Sequence, residues 1–260
     1  MPYDKSSLNQ SDVTPIEPYP LTIKRGVLAV IVMYLSQILA AVGVSYVFKL
    51  VYSSGGSSSG VDIQIIGLVS VLIGGSLVLL LFWMDMQRTG GALYPQIGLR
   101  PSKIKLPSAV FQIFSVLAAT HFLAWIYRSV ILPQVGQGDI IGGGSQMFAY
   151  ISETGSIPGM VAFLVLGLVV GPVMEEVVFR GYLQSSLSRR MPEWGAVGIT
   201  SLVFMAGHSP IVLWPMYFVF SIAWGWIFMR TKSLKMAILI HVLSNLFYTV
   251  VGFAGWEILA

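Results

Sequence analysis

The chain has no cysteine, which excludes disulfides, thiolate nucleophiles and thiolate metal sites. Charge is scarce too: Asp, Glu, Lys and Arg make up 10% of the 260 residues, against roughly 25% in soluble domains. Only three histidines are present, so any metal would have to draw on them and on Glu, Asp or Asn. In place of charge stands apolar sequence, 55% of the chain, with a mean hydropathy of +0.79. That balance excludes a soluble globular domain and predicts an all-α, polytopic transmembrane helix bundle of about seven to eight spans. The net charge of +4 does not point to nucleic acid, because the cations fall in short loops between apolar runs.

Residues 1–22 hold Pro2, Pro15, Pro18 and Pro20 and cannot sustain a helix, which predicts a flexible cytoplasmic tail. Residues 23–260 are expected to form one membrane domain. Its expected spans are 26–50, 63–86, 108–132, 158–184, 194–208, 211–230 and 235–255, the fifth being short. An interfacial helix at 146–154 is expected beside the fourth. The first run follows Lys24 and Arg25, is too long for a cleaved leader and reads as a retained anchor. Gly/Ser-rich 53–60 and Gly-rich 136–145 read as outer loops, without the lysine a phosphate loop would need. Loop charge tests this topology independently. Twelve of fifteen cations lie on one side: Lys5, Lys24, Arg25, Arg88, Arg100, Lys103, Lys105, Arg189, Arg190, Arg230, Lys232 and Lys235. Only Lys49 and Arg128 fall opposite, which puts the N-terminus in the cytoplasm and the protein in the plasma or inner membrane.

The fifteenth cation, Arg180, lies within a span, in the run G-P-V-M-E-E-V-V-F-R-G-Y-L at 171–183, together with Glu175 and Glu176. Each charge near a bilayer centre costs roughly 2.5–3.5 kcal/mol, so three in one span need a partner or a wet cavity. Glu176 and Arg180 stand at i, i+4 with the acid first, the favourable order for a pair. Glu175 is left without an obvious local partner and is the candidate general base. Few other polar groups interrupt the spans. His208 ends F-M-A-G-H, four residues after Phe204, and His241 and Asn245 share a helix face in H-V-L-S-N. These groups suit hydrolysis: Glu175 can take a proton from water that one histidine shares, while the other histidine and the amide donate to the oxyanion. Ser201 and Ser244 are not excluded as nucleophiles by spacing.

The three motifs E-E-V-V-F-R, F-M-A-G-H and H-V-L-S-N resemble the EExxxR, FxxxH and HxxxN motifs of the CPBP family, which includes type II CAAX prenyl endopeptidases and bacteriocin-processing and abortive-infection proteins. The resemblance covers about 158–250; the first three spans match only in being hydrophobic. It implies an intramembrane endopeptidase that cuts near a membrane anchor, in some members by removing the last three residues of a prenylated protein. By resemblance, Glu175 activates water with His208, and His241 and Asn245 form the oxyanion hole. Glu176, Arg180 and Phe204 support the site, and Tyr182 lines it. The implied mechanism uses no metal or other cofactor; a zinc-dependent alternative would use Glu175, His208 and His241. Expected partners are membrane lipid and a peptide or protein substrate, lipidated in some members of the family, with a cavity open to the cytoplasm and no nucleic acid.

Two other functions fit the same polar cluster. A catalytically silent scaffold or regulator would keep it for helix packing. A proton-coupled transporter would also use intramembrane Glu and His, but no inverted repeat is apparent. His121 has no motif around it and reads as a packed, hydrogen-bonded histidine. Trp83, Trp125, Trp194, Trp214, Trp224, Trp226 and Trp256 read as interface anchors, and Gly171-Pro172 as a kink.

Overall fold

The structure is a computed structural model that describes residues 19–53, 63–138, 149–153 and 155–253. The expected tail up to residue 18, the loop at 54–60, most of the Gly-rich loop and Trp256 lie outside the described residues. Seven helices longer than three turns follow in order among those described. They are α1 (Ile23–Ser53), α2 (Ile63–Arg88), α3 (Leu106–Gln134), α4 (Ile157–Leu187), α5 (Glu193–Ala206), α6 (Trp214–Thr231) and α7 (Leu234–Phe253). Of the expected interfacial helix, 149–153 is described and is helical.

Among the described residues six helical stretches are long and apolar enough to cross a membrane, one fewer than the seven expected. The difference is α5. Its 14 residues rise about 21 Å, short of a roughly 30 Å hydrocarbon core, because Pro192 bounds one end and Gly207 closes the other. The lipid-facing surface is greasy, with Phe111, Leu39 and Ile157 among the most exposed side chains. Small and polar residues turn inward, as membrane bundles require.

Helix α4 is central. It contacts α1, α2, α5, α6 and α7, while α3 packs on α6 and α7. Pro172 lacks an N–H, yet α4 continues through it without ending. The preceding turn, Leu166–Val170, widens to π-type bonding, and the Gly171 N–H donates to the Leu166 carbonyl. A second wide stretch, Val177–Gln184, carries Arg180 and is buried throughout. Such bulges re-aim side chains without breaking a helix.

The loops that carry most of the cations are bonded to one another, so they share one face of the bundle. Gln96 accepts from Leu21 N and from Arg189, Lys103 N donates to Thr231 O, and Arg100 Nε donates to Lys232 O. At the centre of this seam, Leu234 N donates 2.8 Å to Gly98 O. Gly98 adopts φ +83°, and a Cβ there would stand 2.5 Å from the Phe228 ring. Both facts call for glycine. Gly98→Val is therefore expected to lower the thermal unfolding midpoint of the detergent-solubilised protein by several degrees, as strain and overpacking together cost about 1–3 kcal/mol. An unchanged midpoint would show that the seam does not hold α6 and α7.

Candidate active site

The charges of α4 are resolved by geometry. Glu176 and Arg180 have no exposed surface. Arg180 Nη1 donates to Glu176 Oε1 at 2.9 Å, as the i, i+4 spacing predicts. Arg180 Nη2 donates to both the carbonyl and the hydroxyl of Ser221 on α6, at 2.9 and 2.8 Å. The guanidinium also lies 5.1 Å from the Phe204 ring centre and 5.4 Å from that of Trp224, two cation–π contacts in a dry setting.

The second motif histidine joins this pair. His241 Nδ1 lies 2.9 Å from Glu176 Oε1, and the carboxylate fixes the proton on that nitrogen. The other nitrogen, Nε2, then faces Glu175 Oε2 at 3.9 Å. Glu175, expected to stand alone, thus has a neighbour on α7, and its side chain is 23% exposed where its sequence neighbour is sealed. Trp224 stacks flat on His241 at 3.7 Å and 18°. The arrangement is a relay in which Arg180 fixes Glu176, Glu176 fixes His241, and His241 faces the only one of these carboxylates that solvent can reach.

Phe204 connects the remaining motif. Its ring meets Phe179 edge-on at 5.1 Å, stacks with His208 at 4.3 Å and stands 6.4 Å from His241. His208 Nδ1 lies 2.7 Å from Phe204 O, an acceptor only, so the neutral ring keeps its lone pair on Nε2. His208 sits in a non-helical turn between α5 and α6, and its backbone is satisfied locally. Trp214 Nε1 donates to His208 O, Tyr217 Oη to Ser209 O and Tyr127 Oη to Val212 O. Irregular backbone at membrane depth needs such donors. Asn245 Nδ2 donates to Gly167 O at 2.7 Å, in the widened turn before Pro172, which leaves its second amide hydrogen free.

Two expectations are corrected. Tyr182 does not line the site: its hydroxyl donates 3.0 Å to Asp85 on α2, whose other oxygen pairs with Arg25 at 3.2 Å. In the wide turn this side chain faces α2, and the phenol ties three helices together. Nor are Trp214 and Trp224 simple interface anchors, since one supports His208 and the other covers His241. Ser221, absent from the motifs, joins the Arg180 shell through Nη2. A serine in an apolar span was its only signal in the sequence. His121 is held by Leu117 O and Ser244 Oγ among Phe220, Phe247 and Tyr248.

Residues 157–247 match the family model described as type II CAAX prenyl endopeptidase Rce1-like. That segment is similar to the Rce1-like family. It holds Glu175, Glu176, Arg180, Phe204, His208, His241 and Asn245, and leaves α1 to α3 outside. Over 141 residues the chain is 29% identical to the membrane-embedded CAAX protease MroQ of Staphylococcus aureus, covering 49% of this chain and 53% of that protein. Over 87 residues it is 24% identical to the putative membrane peptidase YdiL of Bacillus subtilis, covering 34% of this chain and 36% of that one. The chain thus spans about half, or less, of the length of the curated relatives it matches. No solved structure matches it significantly. The apolar helices and these relatives make it a multi-pass membrane protein.

The donors of the Rce1-like segment do not assemble a metal centre. Among the described residues no three His, Asp or Glu side chains converge as ligands.

The buried relay predicts an asymmetry. Arg180→Leu leaves the buried Glu176 carboxyl without its cation and with only the His241 hydrogen bond, which is expected to cost about 3–5 kcal/mol and most of the folded yield. The double variant Glu176→Gln with Arg180→Met is expected to recover much of that stability, since no charge remains to be paired. Thermal melts of the three purified proteins in one detergent check this. A single variant as stable as the wild type would show the relay to be dispensable.

Proposed function

We propose that the chain is an intramembrane endopeptidase that hydrolyses a peptide bond near a membrane anchor, with Glu175 as general base. The observation that carries this is the His241 imidazole fixed between Glu176 and Glu175, at 2.9 and 3.9 Å, beside a carboxylate with partial solvent access. A purely structural ion pair has no need of the second acid. Along α4, Glu175 lies 12 residues from Leu187, about 18 Å at 1.5 Å per residue, well below the charged face of the bundle. A substrate bond must therefore reach deep into the membrane, as one adjoining an anchor does.

Water held between Glu175 and His208 Nε2 attacks the carbonyl carbon, and Glu175 takes its proton. Negative charge moves to the carbonyl oxygen. The free amide hydrogen of Asn245 donates to it, as does His241 Nε2 when the ring carries both protons. The tetrahedral species collapses with cleavage of the C–N bond, and Glu175 returns the proton to the leaving amine. A carboxylate and an amine result, with no oxidant, metal or cofactor consumed. The charged loops face the cytoplasm of the cell membrane, the N-terminus lies on that side, and substrate approaches from it. The names of the relatives, one a CAAX protease and one a membrane peptidase, support a peptide substrate and make a lipidated one the first to try.

The fully buried Glu176–Arg180–Ser221 lock favours a second function, a silent scaffold that keeps the cluster for packing. Glu175 separates the two. Glu175→Gln in proteoliposomes is expected to lower cleavage of an internally quenched CAAX-type peptide by at least about 10³-fold, with a thermal midpoint close to wild type. A large fall in midpoint with no cleavage in the parent would favour the scaffold. Exhaustive treatment with a chelator is expected to leave cleavage unchanged; loss restored by added zinc would overturn the metal-free mechanism.

A further inference from the structure

The donors available to a developing oxyanion are few. In their neutral forms His208 and His241 both carry the proton on Nδ1, facing Phe204 O and Glu176, and so present lone pairs at Nε2. Arg180 is sealed. Asn245 has spent one of its two amide hydrogens on Gly167. The nearby phenols are committed as well, Tyr217 to Ser209 O, Tyr127 to Val212 O and Tyr182 to Asp85.

Tyr34 is the exception, and it comes from α1, outside the Rce1-like segment. Its half-buried ring lies against Gly207, the residue before His208. A Cβ on Gly207 would collide with the hydroxyl and stand 2.7 Å from Cζ and 3.1 Å from Cε1. Only a glycine admits the phenol there. The hydroxyl has no hydrogen-bond partner among the described residues, and Glu175 is near enough to act on it through its charge. One turn on, Gln37 Nε2 donates to Met174 Sδ at 3.3 Å, which holds this face of α1 on the residue preceding Glu175. Gly74 and Gly75 of α2 make room: a Cβ on Gly74 would meet Ser36 O at 3.0 Å, and one on Gly75 would meet Val170 at 2.8 Å. The first span is thus packed through glycines so that its polar edge reaches the site.

We propose that the Tyr34 hydroxyl is a catalytic hydrogen-bond donor, which stabilises the oxyanion of the scissile carbonyl from the α1 side beside Asn245. The inference rests on the peptidase function proposed above and extends it to a residue outside the family motifs. The phenol keeps its proton throughout. It contributes a hydrogen bond that strengthens as charge grows on the carbonyl oxygen, so its effect falls on turnover rather than on substrate binding.

The test is steady-state cleavage by the full chain in proteoliposomes. The probe is an internally quenched peptide ending in a Cys-aliphatic-aliphatic-X sequence, with and without a farnesyl thioether. Tyr34→Phe keeps the ring against Gly207 and removes only the hydroxyl. It is expected to lower kcat about 10²-fold, with KM within about twofold and the thermal midpoint unchanged. Gly207→Ala, whose Cβ would push the phenol and its hydroxyl aside, is expected to lower kcat in the same direction. If Glu175→Gln abolishes cleavage while Tyr34→Phe keeps more than half of the wild-type kcat, the inference falls and the peptidase function stands. A matching loss of kcat and thermal midpoint in Tyr34→Phe would mark a packing role and overturn it as well. If the wild-type chain cleaves neither peptide, both fall together, since the hydroxyl has no reacting group to serve.

Discussion

A guanidinium with no exposed surface, in the middle of a membrane helix, constrains everything around it. Arg180 cannot shed its proton, so the bundle supplies a carboxylate, a serine hydroxyl, a carbonyl and two aromatic faces to replace lost water. Glu176 is thereby held in place, and His241 takes its orientation from it. The energetic burden of this arrangement is several kcal/mol per ion before pairing, so an ion pair kept only for stability would be a poor solution. Its value lies in rigidity: one imidazole nitrogen is aimed at Glu175 and stays so aimed.

A second constraint is backbone polarity where α5 stops short. The chain turns between Ala206 and Ile211 at a depth where water is scarce, and aromatic side chains take over the carbonyls that a helix would have satisfied. Trp214, Tyr217 and Tyr127 hold the turn that presents His208. The position of that histidine therefore depends on residues that no motif names.

The parts legible in the sequence were those with a strong local signal. Long apolar runs gave the spans to within a few residues, and the i, i+4 spacing of Glu176 and Arg180 gave their pair. The grouping of cations matched the single bonded face made by Gln96, Arg100, Lys103 and Lys232. What could not be read were relations between helices. Periodicity says which residues share a face, not which helix that face meets. Tyr182 looked like a site residue because it follows Arg180, but a widened turn directs it to Asp85. Trp224 looked like an anchor because tryptophans gather at interfaces, yet it lies flat on His241. The fifth span, expected to be short, is α5, whose 14 residues do not rise far enough to cross.

The seam at the charged face also shapes how the bundle can move. Gly98 and Lys103 through main-chain bonds, and Arg100 through its side chain, join the α2–α3 connection to the start of α7 and the end of α6. Helices clamped together at one end behave as levers with a shared fulcrum, and their displacement grows with distance from it. Separation between helices is therefore expected to grow toward the opposite end of the bundle, while the clamped end keeps its shape.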